Sequence, residues 1–272
     1  MPAHPREEEW AAFYRTFQSK TGLDLVSYKQ DQLRRRILSM VDSKGVSSLD
    51  EFWGLLRGSD ETVRWFLDKL AINVSELFRN ADKWSEMQDK ILPMLRAASP
   101  RLKIWSAGCS YGAEAYTMAM ILDSKCPGAH QIVGSDIDEA ALSQARRGEF
   151  SDADVRNVPP ALKANYLRKE GAVWTAEAPL RRYLTFKTGN LLRDSFDTGF
   201  DLIMCRNVVI YFTEPAKEAL YSKFHRALKP GGYLFVGSTE RIFNSRELGF
   251  DTPLPFFYRK SLQGETVWRN AS

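Results

Sequence analysis

Residues 103–116 read KIWSAGCSYGAEAY, and this stretch decides the fold class. An apolar run ends in a turn of small residues that contains Gly108 and Gly112, and a helical pattern begins at once. That order is typical of the first strand–turn–helix unit of a doubly wound fold, in which a ligand lies over the carboxyl end of the strand. The turn lacks the phosphate-loop pattern GxxxxGK[ST], and Glu114 brings a negative charge to the place where a phosphate would bind. The stretch therefore favours a cationic or neutral ligand, and S-adenosylmethionine is the leading candidate.

Length and composition set broad limits on the protein class. The 272 residues fit one large domain or two modest ones, and 44% hydrophobic and 26% charged residues are typical of a soluble globular protein. The net charge of +4 is too small to indicate nucleic-acid binding without a local cluster. Cys109, Cys126 and Cys205 are widely spaced and predict neither a disulfide framework nor a metal site. Residues 1–9 lack the apolar core of a signal peptide, and no apolar run approaches the length of a membrane helix, so we expect a cytoplasmic protein without direct membrane insertion.

The first third of the chain is predicted to be helical. Apolar residues recur at helical spacing over residues 10–88, and breaks at Gly22, Gly45 and 58–60 divide this part into four or five short helices. We assign residues 1–88 to an all-α amino-terminal domain that includes a linking segment.

From Leu102 the pattern changes to alternating strands and helices. The predicted strands cover 102–106, 131–135, 200–205 and 233–238, and helices run to 122, over 139–147 and over 215–228, with a turn at 229–232. This alternation predicts that residues 89–272 form an α/β domain with a mostly parallel, Rossmann-like sheet.

One long excursion interrupts this alternation. The stretches 171–175 and 180–186 alternate apolar and polar residues, which predicts an antiparallel hairpin in a small β-subdomain inserted at about residues 150–189. The alternative is a local elaboration of one crossover connection.

Two strand ends carry candidate ligand-binding residues. Asp136 ends the second strand, where an acid accepts hydrogen bonds from ribose hydroxyls in nucleotide-binding α/β folds. Its alternative role is to cap the next helix. A dinucleotide is the competing ligand, but the GxGxxG pattern is absent. The apolar strand at 201–205 leads to Arg206, Asn207 and Tyr211 at the same sheet edge, which makes them candidate site residues. The alternative is a structural role, in which Arg206 forms an ion pair and Tyr211 packs in the core.

Together these motifs resemble the chemotaxis receptor methyltransferases of the CheR family. The matching motifs are WSAGCSYGAEAY at 105–116, SDID at 135–138, GNLL at 189–192, CRNVVIYF at 205–212 and AINVSELFRN at 71–80, which is similar to the family's TxNxTxFFR segment. The resemblance spans roughly residues 10–260. It implies that the enzyme uses S-adenosylmethionine to methyl-esterify glutamate side chains on the cytoplasmic helical signalling domains of chemoreceptors, with S-adenosylhomocysteine as product.

The resemblance also implies roles for individual residues. The implied cofactor contacts are Asn73, Ser75 and Arg79 in the linking segment, Glu114 at the methionine end, Asp136 at the ribose, Asn190 and Leu191 at the adenine, and Arg206 and Asn207 near the methionine and the sulfonium. The implied catalytic residues, which face the methyl group and the incoming carboxylate, are Arg79 and Tyr211. Two departures are Ser75 in place of threonine and GAEA in place of GEEP, which leaves Glu114 at the second acidic position.

Elementary chemistry agrees with these roles. A glutamate carboxylate is already ionised near pH 7, so its attack on a methyl sulfonium needs no general base. The site must hold the carboxylate oxygen about 3–3.5 Å from the methyl carbon, and an arginine is suited to orient it.

A basic run on the second predicted helix is the candidate docking element. Arg34, Arg35 and Arg36, with Lys29 and Lys44 nearby, outnumber the local acidic residues and would face an acidic helical receptor. An ordinary solvated helix face and nucleic-acid binding are the alternatives, and the run lacks the interleaved aromatic residues of the latter. We expect a monomer.

Two other functions remain open at the level of the sequence. The first is a methyltransferase of the same fold that acts on another protein or a small molecule. The second is a non-catalytic adaptor that binds the cofactor and contacts proteins, and the presence of Arg79, Glu114, Asp136, Asn207 and Tyr211 together argues against it.

Overall fold

The structure is a computed structural model that describes residues 5–70 and 75–262. Asn73, one of the expected cofactor ligands, lies outside the described residues. The amino-terminal domain consists of α1 (Glu7–Thr21), α2 (Gln30–Ser43), α3 (Leu49–Gly58) and α4 (Asp60–Leu70). Gly22 ends α1 with a φ of 73°, a conformation that glycine adopts without a steric penalty, so this predicted break is confirmed.

Aromatic rings form the core of this helical domain. Phe13, Phe17, Phe52 and Phe66 are buried, and the rings of Phe17 and Phe66 lie 4.9 Å apart. Burial of such large apolar side chains, each worth about 1.5–3 kcal/mol, stabilises helices that are too short to persist alone.

The rest of the chain forms the α/β domain. Its helices are α5 (Ala81–Glu86), α6 (Leu92–Ala98), α7 (Ala113–Lys125), α8 (Glu139–Arg147), α9 (Pro160–Tyr166), α10 (Ala178–Arg181) and α11 (Glu214–Ala227). Its strands are β1 (Lys103–Ala107), β2 (Gln131–Asp136), β3 (Glu149–Phe150), β4 (Leu167–Glu170), β5 (Val173–Ala176), β6 (Leu184–Thr188), β7 (Phe200–Cys205), β8 (Leu228–Val236), β9 (Phe250–Leu254) and β10 (Phe257–Lys260). No helix among the described residues is long and apolar enough to span a membrane.

Seven of the strands form one sheet in the order β6-β2-β1-β7-β8-β10-β9. The first five strands are mutually parallel. At one edge β10 pairs antiparallel with β8, and β9 pairs antiparallel with β10. The chain moves outward from β1 in one direction and from β7 in the other, so the topological switch point lies between these two strands. Ligands of doubly wound folds bind at this position, beyond the carboxyl ends of the strands. The predicted fold class is confirmed.

The predicted pairing within the inserted segment was wrong. The small antiparallel sheet has the order β3-β5-β4, while Leu184–Thr188 is β6, which pairs in parallel with β2 at the edge of the main sheet. An edge strand is partly exposed and therefore alternates like a hairpin strand, so the sequence could not separate the two. Gly134 of β2 has no side chain at the place where Phe186 of β6 packs, since a Cβ there would lie 2.5 Å from the ring.

Two further local predictions were wrong. Residues 229–232 do not form a turn but lie within β8, where the pairing with β7 shifts register between Phe200 and Leu202. Residues 75–80 are not helical, because Phe78 and Asn80 take positive φ values of 56° and 59°.

A short backbone pairing joins the two domains. Thr213 donates its amide to the carbonyl of Ser27, and Lys29 donates its amide to the carbonyl of Tyr211, both at 2.9 Å. The rings of Tyr28 and Phe212 pack edge to face, 5.1 Å apart. The start of α2 is therefore fixed against the segment that follows β7.

Candidate functional site

A cavity of about 720 Å³ lies between the helical domain and the carboxyl edge of the sheet. Its size is within the range of small-molecule sites. The predicted site residues that line it are Arg35, Arg36, Ser75, Arg79, Glu114, Asp136, Asn190, Leu191, Arg206, Asn207 and Tyr211. Arg34 is not among its lining residues.

The turn after β1 and the end of β2 form one wall of the cavity. Ser110 donates its amide to Oδ2 of Asp136 at 2.7 Å, and Asp138 donates its amide to Oδ1 at 3.0 Å. Each carboxylate oxygen keeps a second lone pair that could accept a ribose hydroxyl. Burial raises the pKa of the Asp136 carboxyl. Asp138 caps α8 through the amides of Ala140 and Ala141, so the helix-capping alternative for Asp136 is excluded.

Gly108 occupies a position in this turn that suits glycine alone. It adopts a φ of 75°, and a Cβ at this position would lie 2.6 Å from Cγ2 of Val208. The positive φ and the close packing of Val208 both require glycine at this position.

Glu114 lies in the first turn of α7, and its side chain is only 13% exposed. It accepts a hydrogen bond from the hydroxyl of Ser106 at 2.7 Å, and Nη1 of Arg206 lies 3.9 Å from its second oxygen. Burial raises the pKa of the Glu114 carboxyl, and the charge of Arg206 partly offsets that shift. An acid held in this way suits a cationic ligand group such as an amine.

Arg206 connects the sheet edge to the linking segment. Its guanidinium packs over the rings of Trp84 and Phe235, 5.3 Å and 4.6 Å from their centroids. Nη2 donates to the carbonyl of Arg79 at 2.9 Å and to Oδ1 of Asn80 at 3.1 Å. Its main contacts are thus structural, and they bring the linking segment to the wall of the cavity.

The inserted subdomain also holds the linking segment, which the sequence did not reveal. The hydroxyl of Tyr111 contacts the carbonyl of Ser75, accepts its amide at 3.2 Å and donates to Oδ1 of Asp154 at 2.9 Å. The carbonyl of Asp154 accepts the amide of Leu77 at 2.9 Å. Because Ser75 lines the cavity, Tyr111 and Asp154 fix part of its wall without lining it.

Asn190 and Leu191 line the cavity in the turn that follows β6. Oδ1 of Asn190 accepts the backbone amides of Leu192 at 3.0 Å and Arg193 at 3.3 Å. The backbone amide of Asn190 donates to the carboxylate of Asp194 at 2.7 Å. These bonds fix the turn after β6 and place the nearly buried Leu191 in the cavity wall. An apolar side chain next to backbone polar groups is suited to an aromatic base.

Tyr211 and Asn207 form the wall next to the helical domain. Asn207 takes a φ of 62° and donates its amide to the carboxylate of Glu240 at 2.6 Å. Burial raises the pKa of the Tyr211 hydroxyl, which the charges of Arg36 and Arg79 partly offset, so this hydroxyl is a proton-carrying donor near pH 7. Glu240 is a buried positioning residue that the sequence did not reveal, because it lies in the loop beyond β8 rather than at the strand end, and nothing local marks its contact with Asn207.

The three arginines of α2 differ in their surroundings. Arg34 forms a two-point contact with Glu7, its Nη2 lying 2.7 Å from the carboxylate, and it lies over the Trp10 ring. Nη1 of Arg36 donates to the carbonyl of Leu70 at 2.7 Å. Arg35 is the exposed member of the three, and it lies at the cavity wall.

Sequence comparison identifies the family. The family model described as "CheR methyltransferase, SAM binding domain" matches residues 73–252, and the model described as "CheR methyltransferase, all-alpha domain" matches residues 8–71. The chain belongs to the CheR methyltransferase family. It is a methyltransferase that binds S-adenosylmethionine, and the acidic, glycine-bearing cavity fits a cofactor that carries an amine and a sulfonium but no phosphate.

Named relatives of this CheR family member cover most of its length. It is similar to a chemotaxis protein methyltransferase of Listeria monocytogenes, with 34% identity over 94% of this chain and 98% of the relative. A chemotaxis protein methyltransferase of Escherichia coli is 30% identical over 92% of this chain and 86% of the relative. Chemotaxis protein methyltransferase 1 of Pseudomonas aeruginosa is 31% identical over 85% and 89%, respectively.

The hydroxyl of Tyr111 should matter for cofactor binding in this CheR family member although it does not line the cavity. Tyr111→Phe removes the hydrogen bonds that hold Ser75, and a net loss of about 1 kcal/mol corresponds to about a fivefold rise in the Kd of S-adenosylmethionine, measured by calorimetry. Tyr116→Phe is the matched control, because its hydroxyl bonds to the carbonyl of Ala145 instead. Equal affinities for both variants would show that Tyr111 acts on stability alone.

Cofactor affinity should fall in mild acid because Asp136 and Glu114 bind through their ionised forms. Burial raises both pKa values above the ordinary 3.8 and 4.5, so protonation begins at a higher pH than for exposed carboxyls. A raised carboxyl pKa also means that protonation relieves a destabilising charge in the free enzyme, so these two groups do not lower stability as the pH falls. We expect calorimetric affinity to drop as the pH falls from neutral into the acidic range, while protonation of these two groups makes the free enzyme more rather than less stable. Glu114→Gln should bind more weakly at neutral pH and show a flatter pH dependence.

Proposed function

We propose that this enzyme transfers the methyl group of S-adenosylmethionine to glutamate carboxylates on the cytoplasmic helical signalling domains of chemoreceptors, in chemotaxis adaptation. One observation carries the proposal: Arg36, Arg79 and Tyr211 line the same cavity as the cofactor-type acids Glu114 and Asp136. Two cationic side chains and a phenol suit an incoming carboxylate, while the acids suit the cofactor.

The residues divide the work of an in-line displacement. Bound S-adenosylmethionine supplies an electrophilic methyl group on its sulfonium. Arg79 and the Tyr211 hydroxyl orient the substrate carboxylate, which is already ionised and gives up no proton. Arg206 acts indirectly, because its guanidinium donates to the carbonyl of Arg79 and so holds the backbone of that residue in place. Walls from both domains restrict water around the reacting groups, and orientation rather than acid–base chemistry lowers the barrier.

The printed names of the relatives support the substrate class. Proteins from Listeria monocytogenes, Escherichia coli and Pseudomonas aeruginosa that match over most of this chain are called chemotaxis protein methyltransferases. A methyltransferase of the same fold with another substrate is the alternative, and the cationic Arg36 and Arg79 in the cavity favour a carboxylate substrate over an uncharged one. We expect the enzyme to act as a monomer.

A labelled-methyl transfer assay tests the proposal. Purified enzyme, S-adenosylmethionine with a labelled methyl group and the purified cytoplasmic signalling fragment of the host's own chemoreceptors should yield label on the receptor that base releases as methanol. Glutamine in place of the acceptor glutamates should abolish labelling. Absence of base-labile label on every receptor fragment, with normal cofactor affinity, would contradict the proposed substrate.

Receptor docking by α2 should depend mainly on Arg35 among Arg34, Arg35 and Arg36. Arg35 is exposed next to the cavity, whereas Glu7 neutralises Arg34. Arg35→Glu should raise the KM for the receptor fragment about fivefold or more and leave cofactor affinity unchanged, and added salt should narrow the difference because exposed charges are screened over about 8 Å. Arg64→Glu on α4 is the control for charge reversal on another exposed helix position. The docking role fails if both variants show the same receptor KM.

A further inference from the structure

The loop between β8 and β9, residues 237–249, presents an unusually exposed aromatic side chain. Phe243 is 89% exposed, and the next most exposed large apolar side chain among the described residues is Val26 at 61%. Exposure of a phenyl ring to water is unfavourable, at about 25 cal/mol per Å² of apolar surface. Binding of a partner that covers the Phe243 ring would remove this unfavourable exposure.

Hydrogen bonds on both sides of Phe243 fix the loop. The carboxylate of Glu240 accepts the amides of Asn207 at 2.6 Å and Gly237 at 2.7 Å. The amide of Ile242 donates to the hydroxyl of Tyr258 at 2.9 Å, and the Ile242 side chain is buried. Beyond Phe243, the backbone carbonyl of Asn244 accepts the amide of Leu248 at 3.2 Å, and the side-chain Nδ2 of Asn244 donates to the carboxylate of Glu218 on α11 at 3.3 Å. The ring is therefore displayed by an anchored backbone, which lowers the entropic cost of binding through it.

The same contacts place the loop beside the active site. Asn207 lines the cofactor cavity and is bound directly by Glu240. Phe243 follows Glu240 by three residues, which span at most about 11 Å of extended chain. A protein whose glutamate reaches Tyr211 would therefore come within range of this ring.

Charge points to the chemistry of the partner. Arg241 and Arg246 are exposed on either side of Phe243, and neither forms an ion pair with any residue in the described ranges 5–70 and 75–262. Glu240 is buried, which leaves Glu247 as the exposed acid of the loop. An aromatic residue between arginines is the composition that is enriched at the energetic centre of protein interfaces.

We infer that the β8–β9 loop is a second docking surface for the receptor, separate from α2. Phe243 packs into the groove between two helices of the signalling domain, and Arg241 and Arg246 pair with the acidic side chains that surround the glutamate to be methylated. This inference rests on the proposed function, because it takes the acidic helical receptor as the partner. Two separate contacts, one on α2 and one on this loop, would hold a rigid helix bundle in one orientation, which a single basic helix cannot do.

Steady-state methylation of the purified receptor signalling fragment tests this surface. Phe243→Ala should raise the KM for the receptor at least about tenfold while kcat and the calorimetric affinity for S-adenosylmethionine stay normal. Phe243→Leu should restore much of the affinity, since a large apolar side chain is what the groove requires. Arg241→Ala and Arg246→Ala should give smaller increases that added salt reduces.

Met94→Ala is the matched control, because Met94 is 54% exposed on α6, where it contacts the Tyr233 hydroxyl at the opposite side of the sheet. An unchanged receptor KM in Phe243→Ala, with normal methylation by the wild-type enzyme, would overturn the docking surface and leave the proposed function intact. Equal KM increases in Phe243→Ala and Met94→Ala would also overturn it. Failure of the wild-type enzyme to methylate any receptor fragment would overturn the proposed function and, with it, this surface.

Discussion

Replacement of Tyr211 by phenylalanine should lower methyl transfer about 100-fold with little effect on folding. The side chain is half-buried at the cavity wall, and the contact that ties its residue to α2 uses the backbone carbonyl rather than the hydroxyl. Removal of the hydroxyl therefore leaves the domain contact intact and takes away one group that orients the carboxylate. Single-turnover methylation with both substrates saturating measures this loss, and the thermal midpoint measures stability.

Tyr233→Phe is the control for the loss of a tyrosine hydroxyl. Tyr233 lies in β8, and its hydroxyl contacts Met94 away from the cavity. The Tyr233→Phe enzyme should show the methylation rate of the wild type. A stable Tyr211→Phe enzyme with near-normal turnover would remove the hydroxyl from the mechanism. Arg79→Ala is a less direct test, since Arg79 is also an expected cofactor contact, and it should reduce both turnover and cofactor affinity.

Asp136→Ala should weaken binding of S-adenosylmethionine by about 1.5–3 kcal/mol, or roughly 10- to 150-fold in Kd. The variant removes the charged acceptor for the ribose hydroxyls and also leaves the amides of Ser110 and Asp138 without their partner. Asp136→Asn keeps one carbonyl oxygen, so its affinity for S-adenosylmethionine should lie between those of the wild type and Asp136→Ala. Calorimetry gives the affinities, and thermal unfolding shows how much of the effect arises from the turn itself.

The surface variant Asp251→Ala controls for the loss of a carboxylate. Asp251 lies on β9 and pairs with Arg259 at 3.2 Å, far along the sheet order from β2. Its cofactor affinity should match the wild type. If Asp136→Ala also binds with unchanged affinity while remaining folded, Asp136 does not contact the ribose.

Local patterns predicted the residues at the carboxyl edge of the sheet well. Glu114, Asp136, Arg206 and Asn207 all line one cavity, because the last three lie at strand ends, Glu114 begins the helix after β1, and parallel strands end at one edge. Their individual contacts with the cofactor and the substrate remain predictions. Asn73 belongs to the same expected set but lies outside the described residues.

Contacts between distant parts of the chain could not be read from such patterns. Glu240 bonds to Asn207 across 33 positions, and Tyr111 bonds to Asp154 across 43. Neither acid has a neighbour in sequence that marks its role, so only the folded chain identifies both as supports of the site. The mistaken hairpin has the same origin, since Leu184–Thr188 finds its partner in β2, about 50 positions earlier.

The sequence by itself determined the doubly wound domain, the all-α domain before it and the sheet edge at which the candidate site residues meet. These depend on local periodicity and on strand-end residues, and the information lies within a few positions of each element. The tertiary structure alone decided which surfaces complete the site. Pairing of Ser27 and Lys29 with the segment at 211–213 places the basic helix α2 beside Tyr211. Arg206 and Asp154 hold the linking segment, whose Ser75 and Arg79 line the same cavity. Such contacts form between groups far apart in the chain, where packing and hydrogen bonding rather than periodicity select the partner.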